Sequence, residues 1–245
     1  MGRAAACGIL AGSPETLFTI MAASPSPVPD PACTLISLRA GRIASLGADA
    51  VPSAIRKHAL DGRVRIGQLG VVGDEQADTR HHGGPDKALH LYPCEHYDLW
   101  RRELPERAHH FEVGAFGENL STQGLHEADL CVGDVFVLGD AVVQVSQGRQ
   151  PCAKLNLRFE QDDMLARVFA TRRTGVYFRV LVPGETCAGE RMRLIERPEP
   201  DWPLTRVWNV LFVEPPAPQA LSVLADLPLL SASWRERAAR RRAEA

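Results

Sequence analysis

Residues 133–147 have the sequence GDVFVLGDAVVQVSQ, two apolar runs on either side of Gly139-Asp140. A two-residue turn of this composition between β-branched runs predicts a β-hairpin. Similar runs, bounded by turn residues, continue in both directions along the chain. They predict further strands over residues 33–43, 64–74, 87–92, 175–182 and 190–196. The middle of the chain is therefore predicted to be mainly β.

Glycine and proline are distributed unevenly over the 245 residues. Seventeen of the 20 glycines lie between residues 41 and 189, which favours the tight turns of an all-β domain. Apolar residues at helical spacing predict two inserted helices, 95–104 and 161–172. A mostly β domain with few helices favours a barrel over a βαβ sheet. After residue 189 prolines separate about three predicted helices, 204–212, 218–227 and 230–245.

These patterns divide the chain into three parts. Residues 1–31 are expected to form a disordered leader, because the run SPSPVPDP (24–31) cannot form a regular element. A signal peptide over 4–12 is the alternative, but that apolar run is short. Residues 32–197 are expected to form the β domain, and residues 198–245 a small all-α domain.

Composition and cysteine usage exclude several classes of protein. With 24% charged residues and a net charge of −2, the chain resembles neither a wholly basic nucleic-acid binder nor an acidic disordered chain. Six cysteines without a CxxC pair argue against a zinc ribbon and for a reducing compartment, the cytoplasm. No run reaches the ~18 apolar residues of a membrane span, so no membrane partner is expected.

One cysteine stands in an unusual setting, SQGRQPCAKLNLRF (146–159). Cys152 follows a predicted strand and lies between Arg149 and Lys154, and cations this close favour the thiolate. A thiolate is a nucleophile or a ligand for a soft metal. The alternative is a small buried core thiol, the usual state of a free cysteine.

A second polar run, GDEQADTRHHGGPDKALHLY (73–92), surrounds a Gly-Gly-Pro turn. Such a density of ionisable groups at a turn favours an anion or cofactor site. A zinc site is the alternative, although adjacent histidines cannot both face one metal from a regular strand. The candidate residues of this run are Arg80, His81, His82, Asp86, Lys87 and His90.

Three weaker signals complete the set. The glycine-rich run GAFGENLSTQGL (114–125) contains Asn119 but matches no nucleotide-binding motif. Arg173 and Thr174, between a predicted helix and a strand, could bind phosphate or simply be charge at a helix end. Five arginines in 230–245 indicate either an anionic surface partner or a solvated helix end.

Taken together, these motifs resemble one family. The runs GDEQADTRHHGGPDKALHLYP, FGENLST, CVGDVF, VSQGRQPCAKLN and RTGVYFRVL occur in the order and spacing of YiiM-type MOSC-domain proteins, named after the C-terminal domain of molybdenum cofactor sulfurases. The resemblance covers about residues 33–212. It implies a barrel-like MOSC domain followed by a small helical domain. One departure is Val176, which stands where the family often has Trp in its RTGWY run.

The resemblance also implies a chemistry. Family members bind the molybdenum cofactor (Mo-molybdopterin), and the cysteine of the QPC motif, here Cys152, is the expected metal ligand. YiiM-type members are linked to the reduction of N-hydroxylated bases such as 6-hydroxylaminopurine, with electrons from a separate flavin or iron–sulfur reductase. The alternative is a non-catalytic module that binds the cofactor or carries sulfur for another enzyme. A dimer is one option for the oligomeric state.

Site roles follow from this implied chemistry. The departing oxygen needs a proton, and the candidate donors are His82, Asp86 and His90. Cationic and polar side chains are expected to neutralise the phosphate and the metal oxo charge, and amides to meet the pterin edge. The expected cofactor-binding residues are Arg80, His81, Lys87, Asn119, Gln147, Arg149, Lys154, Arg173 and Thr174.

Overall fold

Seven strands close a barrel in the computed structural model, which describes residues 32–215 and 217–245. Neighbouring strands are antiparallel except for one parallel pair, β7 with β8. The predicted leader, 1–31, lies outside the described residues. In order of pairing the strands are β1 (Ala32–Ala40), β8 (Leu120–Gln123), β7 (Leu89–Pro93), β11 (Val176–Val182), β10 (Ala141–Gly148), β9 (Val135–Leu138) and β13 (Arg191–Glu196), which returns to β1.

The hairpin predicted around Gly139-Asp140 joins β9 to β10. Gly139 has a φ of +59°, a conformation that glycine adopts without steric cost. Phe136 on β9, and Val143 and Val145 on β10, are fully buried in the barrel core. The mainly β barrel predicted from the alternating apolar runs is thus confirmed.

Short strands flank the barrel, and one of them corrects a prediction. The strand expected over 64–74 is a small hairpin, because Gly70 turns the chain at a φ of +110°. A side chain at Gly70 would overlap the carbonyl of Ala88, so this close approach requires glycine. The flanking strands are β2 (Ala44–Leu46), β3 (Val51–Ser53), β4 (His58–Ala59), β5 (Val64–Gly67), β6 (Gly70–Val71) and β12 (Gly184–Thr186).

Four helices pack on the barrel between the strands. They are α1 (Thr79–His82), α2 (Glu95–Glu103), α3 (Lys154–Phe159) and α4 (Met164–Thr171), with 3-10 turns at Pro85–Lys87, Pro105–His110 and Glu127–Asp129. The predicted helices 95–104 and 161–172 correspond to α2 and α4, whereas α1 and α3 were not predicted. The rings of Phe111 and Phe116 both pack on the ring of Phe159 and form part of a second core beside the barrel.

The end of the chain is helical, as predicted. Helix α5 (Leu204–Trp208) continues as a π-helical turn (Asn209–Val213), and α6 (Pro218–Asp226) and α7 (Ala232–Ala243) follow. Trp208 and Trp234 are buried in the same core as the barrel strands, so these helices pack directly on the barrel. The boundaries proposed at residues 32 and 198 stay predictions. Within the described residues, no helix has both the length and the apolar character that crossing a bilayer requires.

Candidate functional site: a cysteine between two cavities

Cys152 lies in the turn that connects β10 to α3. At the end of β10, Gly148 pairs with Val176 of β11, and the N–H of Arg149 donates to the carbonyl oxygen of Gly175 at 3.0 Å. The chain then leaves the barrel, and the carbonyl of Cys152 accepts a bond from Leu155 in the first turn of α3. The thiol is thus held at the rim of the barrel, half-buried.

Two cavities meet at this thiol. The first, called the barrel cavity, has a volume of about 80 Å³ and is bounded by segments 53–57, 74–78 and 116–119. The second, called the helix cavity, has a volume of about 380 Å³ and is bounded by α1, the 147–152 segment and α7. Both are lined by Asp78, His82, Lys87, Cys152 and Tyr177. A group bound to the Cys152 sulfur would therefore face both cavities.

A buried ion pair forms one wall of the barrel cavity. The ammonium of Lys57 contacts both carboxylate oxygens of Asp74, and the two side chains are only 7% and 3% exposed. Asp74 also accepts bonds from the N–H of Gly41 at 2.7 Å and from Nδ2 of Asn119 at 2.9 Å. Burial lowers the pKa of Lys57, and the carboxylate of Asp74 opposes that shift. The cavity wall therefore contains a fixed dipole.

The side chain of Asn119 connects this pair to the barrel strands. Its Nδ2 donates to the carbonyl of Arg39 as well as to Asp74, and its Oδ1 accepts from the N–H of His90 at 3.1 Å. All of its amide hydrogen-bonding groups are thus used within the protein. Asn119 fixes the position of Asp74 relative to β7.

His90 and His82 are both held in the neutral form. His90, on β7, is 4% exposed; its Nε2 lies 3.3 Å from the Thr174 carbonyl, and its ring packs on Tyr177. Burial, followed by the charge of Arg149, lowers the pKa of His90 well below its usual value. The same two causes, with Lys154 as a third, lower the pKa of His82 to about 4. Burial is thus the larger cause of both shifts, and the nearby cations add to it.

Two cations, Arg149 and Lys154, lie close to Cys152 in the chain and line the barrel cavity with it. Lys154 donates to the carbonyl of Pro52 at 2.9 Å, which holds it across the barrel cavity. Arg149 is 5% exposed, and its Nη1 is buried without a hydrogen-bond partner in the described structure. A buried donor left unpaired costs about 1–3 kcal/mol. Beside a cavity, such a donor is available to an acceptor that binds there.

Helix α7 forms the far wall of the helix cavity. Trp234 packs its ring over Gly148, and Ser233 donates to Oε1 of Gln147 at 3.1 Å. These contacts place the α7 residues Arg237 and Arg240 beside the mouth of the cavity. The helical end of the chain is therefore part of the candidate site.

The structure brings together most of the predicted site residues. His82, Lys87, His90, Asn119, Arg149, Cys152 and Lys154 line the barrel cavity, and Arg80 and Gln147 line the helix cavity. Other predicted residues lie outside both linings. The Asp86 carboxylate binds Arg179 at 2.8 Å, Arg173 forms two bonds to Glu103, and Thr174 is buried. The side chain of His81 lies outside the described part of the structure.

Several lining residues were not selected from the sequence: Lys57, Tyr177, Arg237 and Arg240, with Asp74 noted only as part of its run. Lys57 has no local signal, since its partner lies 17 residues away. Tyr177 lies next to Val176 in the RTGVYFRVL run and could have been included. Val176 itself is fully buried in the barrel.

Four other cysteines are set apart from Cys152. Burial raises the pKa of Cys33 and of Cys94 to about 12, and that of Cys131 to about 11. Burial and the neighbouring Glu190 also raise the pKa of Cys187. None of these four lines either cavity. Cys7 lies outside the described residues.

Comparison with known proteins assigns the chain to a family. The MOSC domain model matches residues 78–193, and the model of the YiiM-like, 3-alpha helix domain matches residues 202–245. The crystal structure of YiiM from Geobacillus stearothermophilus is 34% identical, with a TM-score of 0.72, over 86% of this chain and 99% of that one. The chain belongs to the MOSC family, in its YiiM-like branch. The resemblance noted in the sequence is confirmed, together with its fold.

Two curated relatives extend the comparison of this YiiM-like MOSC protein. A protein of Gibberella moniliformis named "Reductase" is 39% identical over 222 residues, which cover 89% of this chain and 39% of that protein. Protein YiiM of Escherichia coli is 47% identical over 146 residues, 60% of this chain and 65% of that protein. The matched region thus spans less than two thirds of the length of both relatives.

Proposed function

We propose that this chain binds the molybdenum cofactor at Cys152 and uses it to reduce N-hydroxylated bases of the 6-hydroxylaminopurine type. The observation that carries the proposal is the thiol of Cys152 on the lining shared by two cavities, near Arg149, Lys154 and Lys87. A thiolate is a soft ligand that suits such a metal, and the cations suit its anionic pterin. The name of the Gibberella relative supports the reaction class.

The charged residues around Cys152 fit the anionic parts of this cofactor; the barrel cavity, at about 80 Å³, would hold only part of it, and the rest would lie in the adjoining helix cavity. The unpartnered Nη1 of Arg149 can donate to an anionic oxygen, and that bond removes the cost of its burial. Lys154, fixed on Pro52, supplies a second positive charge. In this proposal Cys152 holds the metal, Arg149 and Lys154 balance the charge, and the cofactor supplies the two-electron chemistry.

The two amide side chains, Asn119 in the barrel cavity and Gln147 in the helix cavity, would hold neighbouring groups in place. Asn119 holds Asp74 and the backbone of His90, so it fixes the wall against which a cofactor would lie. Gln147 is held by Ser233 of α7 and faces the helix cavity. We assign these amides to shaping the site, whereas the expected contact to the pterin edge stays a prediction.

Of the three candidate proton donors, we assign the role to His82. His90 is fully enclosed, and the Asp86 carboxylate is bound to Arg179 and to the N–H of Ala232. His82 lines both cavities and is half-buried. A bound anion raises the pKa of a neighbouring imidazole, so His82 would take up a proton when the site is filled and release it to the departing oxygen.

The test of the cofactor assignment is metal and pterin content. The full chain is purified from a host that makes the cofactor, and molybdenum and pterin are measured per chain. We expect near-stoichiometric content in the wild type, loss in Cys152→Ser, and retention in the control Cys187→Ser, whose thiol lies outside both cavities. Absence of the cofactor from the wild type, or full retention in Cys152→Ser, would contradict the assignment.

The test of the reaction uses the loaded protein. A reduced electron carrier stands in for the separate flavin or iron–sulfur reductase that we propose as the donor in a reducing, cytoplasmic setting. Loss of the N-hydroxyl group of 6-hydroxylaminopurine is followed by chromatography. Turnover supports the proposal. Loaded protein that reduces nothing with any donor would instead favour the alternative, a module that binds the cofactor or carries sulfur without turnover.

A further inference from the structure

The helix cavity is strongly cationic on the side formed by α7. Arg80, Lys87, Arg237 and Arg240 line it, against the single carboxylate of Asp78. Its volume of about 380 Å³ falls within the roughly 300–1,000 Å³ of small-molecule sites. Guanidinium groups grouped around a concave space form bidentate bonds to phosphate oxygens. The cavity therefore has the size and the charge of a site for a small anion.

Arg237 is held in position at this wall. Its guanidinium lies 4.2 Å from the centre of the Phe212 ring, and its Nε donates to the carbonyl of Leu211 at 3.3 Å. Burial, followed by the charges of Arg240 and Arg241, lowers the pKa of Arg237. An anion bound beside Arg237 and Arg240 would be attracted by both guanidinium groups.

The position of Cys152 between the two cavities indicates which ligand would bind in the helix cavity. The cations that suit the cofactor, Arg149 and Lys154, face the barrel cavity, and Cys152 lies between the two cavities. A cofactor bound to Cys152 and held by Arg149 and Lys154 would leave the α7 side of the helix cavity, lined by Arg237 and Arg240, open to the substrate. Gln147 and Gln150 add polar groups to that cavity, and Trp234 adds an aromatic edge.

We propose that the helix cavity binds a phosphate monoester through Arg237 and Arg240, so that the substrate is an N-hydroxylated nucleotide rather than the free base. This inference rests on the proposed reductase function. The phosphate could have two sources, the substrate or the tail of the cofactor. The experiments below separate them.

The first experiment measures binding to the cofactor-free chain by calorimetry. The probes are adenosine 5′-monophosphate and adenosine, which differ only in the phosphate. We expect the monophosphate to bind at least about tenfold more tightly, since one charge-assisted bond of roughly 1.5–3 kcal/mol corresponds to about a tenfold or larger change. Equal binding of the two probes would overturn the phosphate site.

Variants on one helix locate the site. We expect Arg237→Ala/Arg240→Ala to weaken binding of the monophosphate about tenfold or more, and Arg240→Ala alone to weaken it severalfold. Arg240 is exposed, so the single variant remains informative if loss of the Arg237–Phe212 contact impairs folding. The matched control is Arg242→Ala, because Arg242 is exposed on the same helix and does not line the cavity. Wild-type binding in Arg240→Ala would contradict the assignment.

The second experiment compares substrates with loaded protein. We expect kcat/KM for the N-hydroxylated nucleoside monophosphate to exceed that for the base at least about tenfold, and this ratio to fall severalfold in Arg240→Ala. If both substrates react equally, the inference is wrong and the proposed function stands. If neither reacts while the monophosphate binds, the proposed function fails and the phosphate site stands. Loss of molybdenum and pterin from Arg240→Ala would identify the phosphate as that of the cofactor and overturn the nucleotide assignment.

Discussion

The buried pair of Lys57 and Asp74 gives the most direct test of how the barrel cavity is built. Replacing Lys57 by Met removes the positive charge and keeps an unbranched side chain of similar length. The carboxylate of Asp74, 3% exposed, then remains buried without its counter-charge. Removing one partner of a buried pair costs about 3–5 kcal/mol, because the other charge stays desolvated.

The contacts of Asp74 set where in this range the cost falls. After the substitution Asp74 keeps two donors, the N–H of Gly41 at 2.7 Å and Nδ2 of Asn119 at 2.9 Å. We therefore expect the lower end, about 3 kcal/mol for Lys57→Met. At about 2–4 °C per kcal/mol for a chain of this size, the melting temperature should fall by about 6–12 °C.

The assay is denaturant unfolding of the cofactor-free chain at pH 7, followed by tryptophan fluorescence. Lys57→Met, Asp74→Asn and the double variant complete a thermodynamic cycle. We expect the double variant to cost less than the sum of the two single variants by about 2–3 kcal/mol, because it leaves no unpaired charge. A coupling near zero, or a cost below about 1 kcal/mol for Lys57→Met, would refute the argument that this pair is desolvated and mutually required.

Two further predictions concern the same side of the barrel. Gly175→Ala is expected to lower the free energy of unfolding by about 3 kcal/mol or more, because φ at this position is +80° and the added methyl would overlap the His90 ring. The control Gly62→Ala, at a φ of +70° in open space, should lower it by only about 1–2 kcal/mol, and thermal unfolding measures both. His82, with a folded-state pKa of about 4 against about 6.5 when unfolded, takes up its proton first in the unfolded chain, so stability should fall as the pH drops from about 6.5 to 4. We expect His82→Gln to flatten this part of the stability–pH curve by about 1–2 kcal/mol, after allowance for its partial exposure. The control His58→Gln, at an exposed position, should keep the wild-type slope. An unchanged slope in His82→Gln would contradict the cause given for that pKa.

Much of the fold follows from local sequence patterns, because a β-hairpin and an amphipathic helix are encoded within a few residues. The turn at Gly139-Asp140 and the apolar face of α4 are examples. Helix α3 is different: its six residues, KLNLRF, are too few to give a helical signal on their own. It forms because Leu155 and Phe159, one turn apart, bury their side chains in the second core. That core is assembled from distant segments, so no local pattern contains it.

The candidate site, too, can be predicted only in part from local sequence patterns. Cys152 stands out in the sequence because Arg149 and Lys154 are its neighbours in the chain. Lys57 does not, because its partner Asp74 reaches it only when the barrel closes. The arginines of α7 look like a solvated helix end in the sequence, and Arg241 does bond to the carbonyl of Leu211 at 2.9 Å. The packing of α7 on the barrel, with Trp234 against Gly148, brings Arg237 to the cavity.

Asp86 links the barrel to helix α7. Its contacts show that a high local density of ionisable residues does not by itself identify a catalytic residue. Asp86 lies in the ionisable run 73–92, yet its carboxylate accepts from Arg179 of β11 and from the N–H of Ala232 at the start of α7. The N–H of Ser231, beside it, donates to the carbonyl of Ser146 on β10. Asp86 therefore helps to fix α7 against the barrel, and α7 in turn forms a wall of the helix cavity. The proton-donor role expected of Asp86 stays a prediction, whereas its contacts make it an anchor for the helix that carries Arg237.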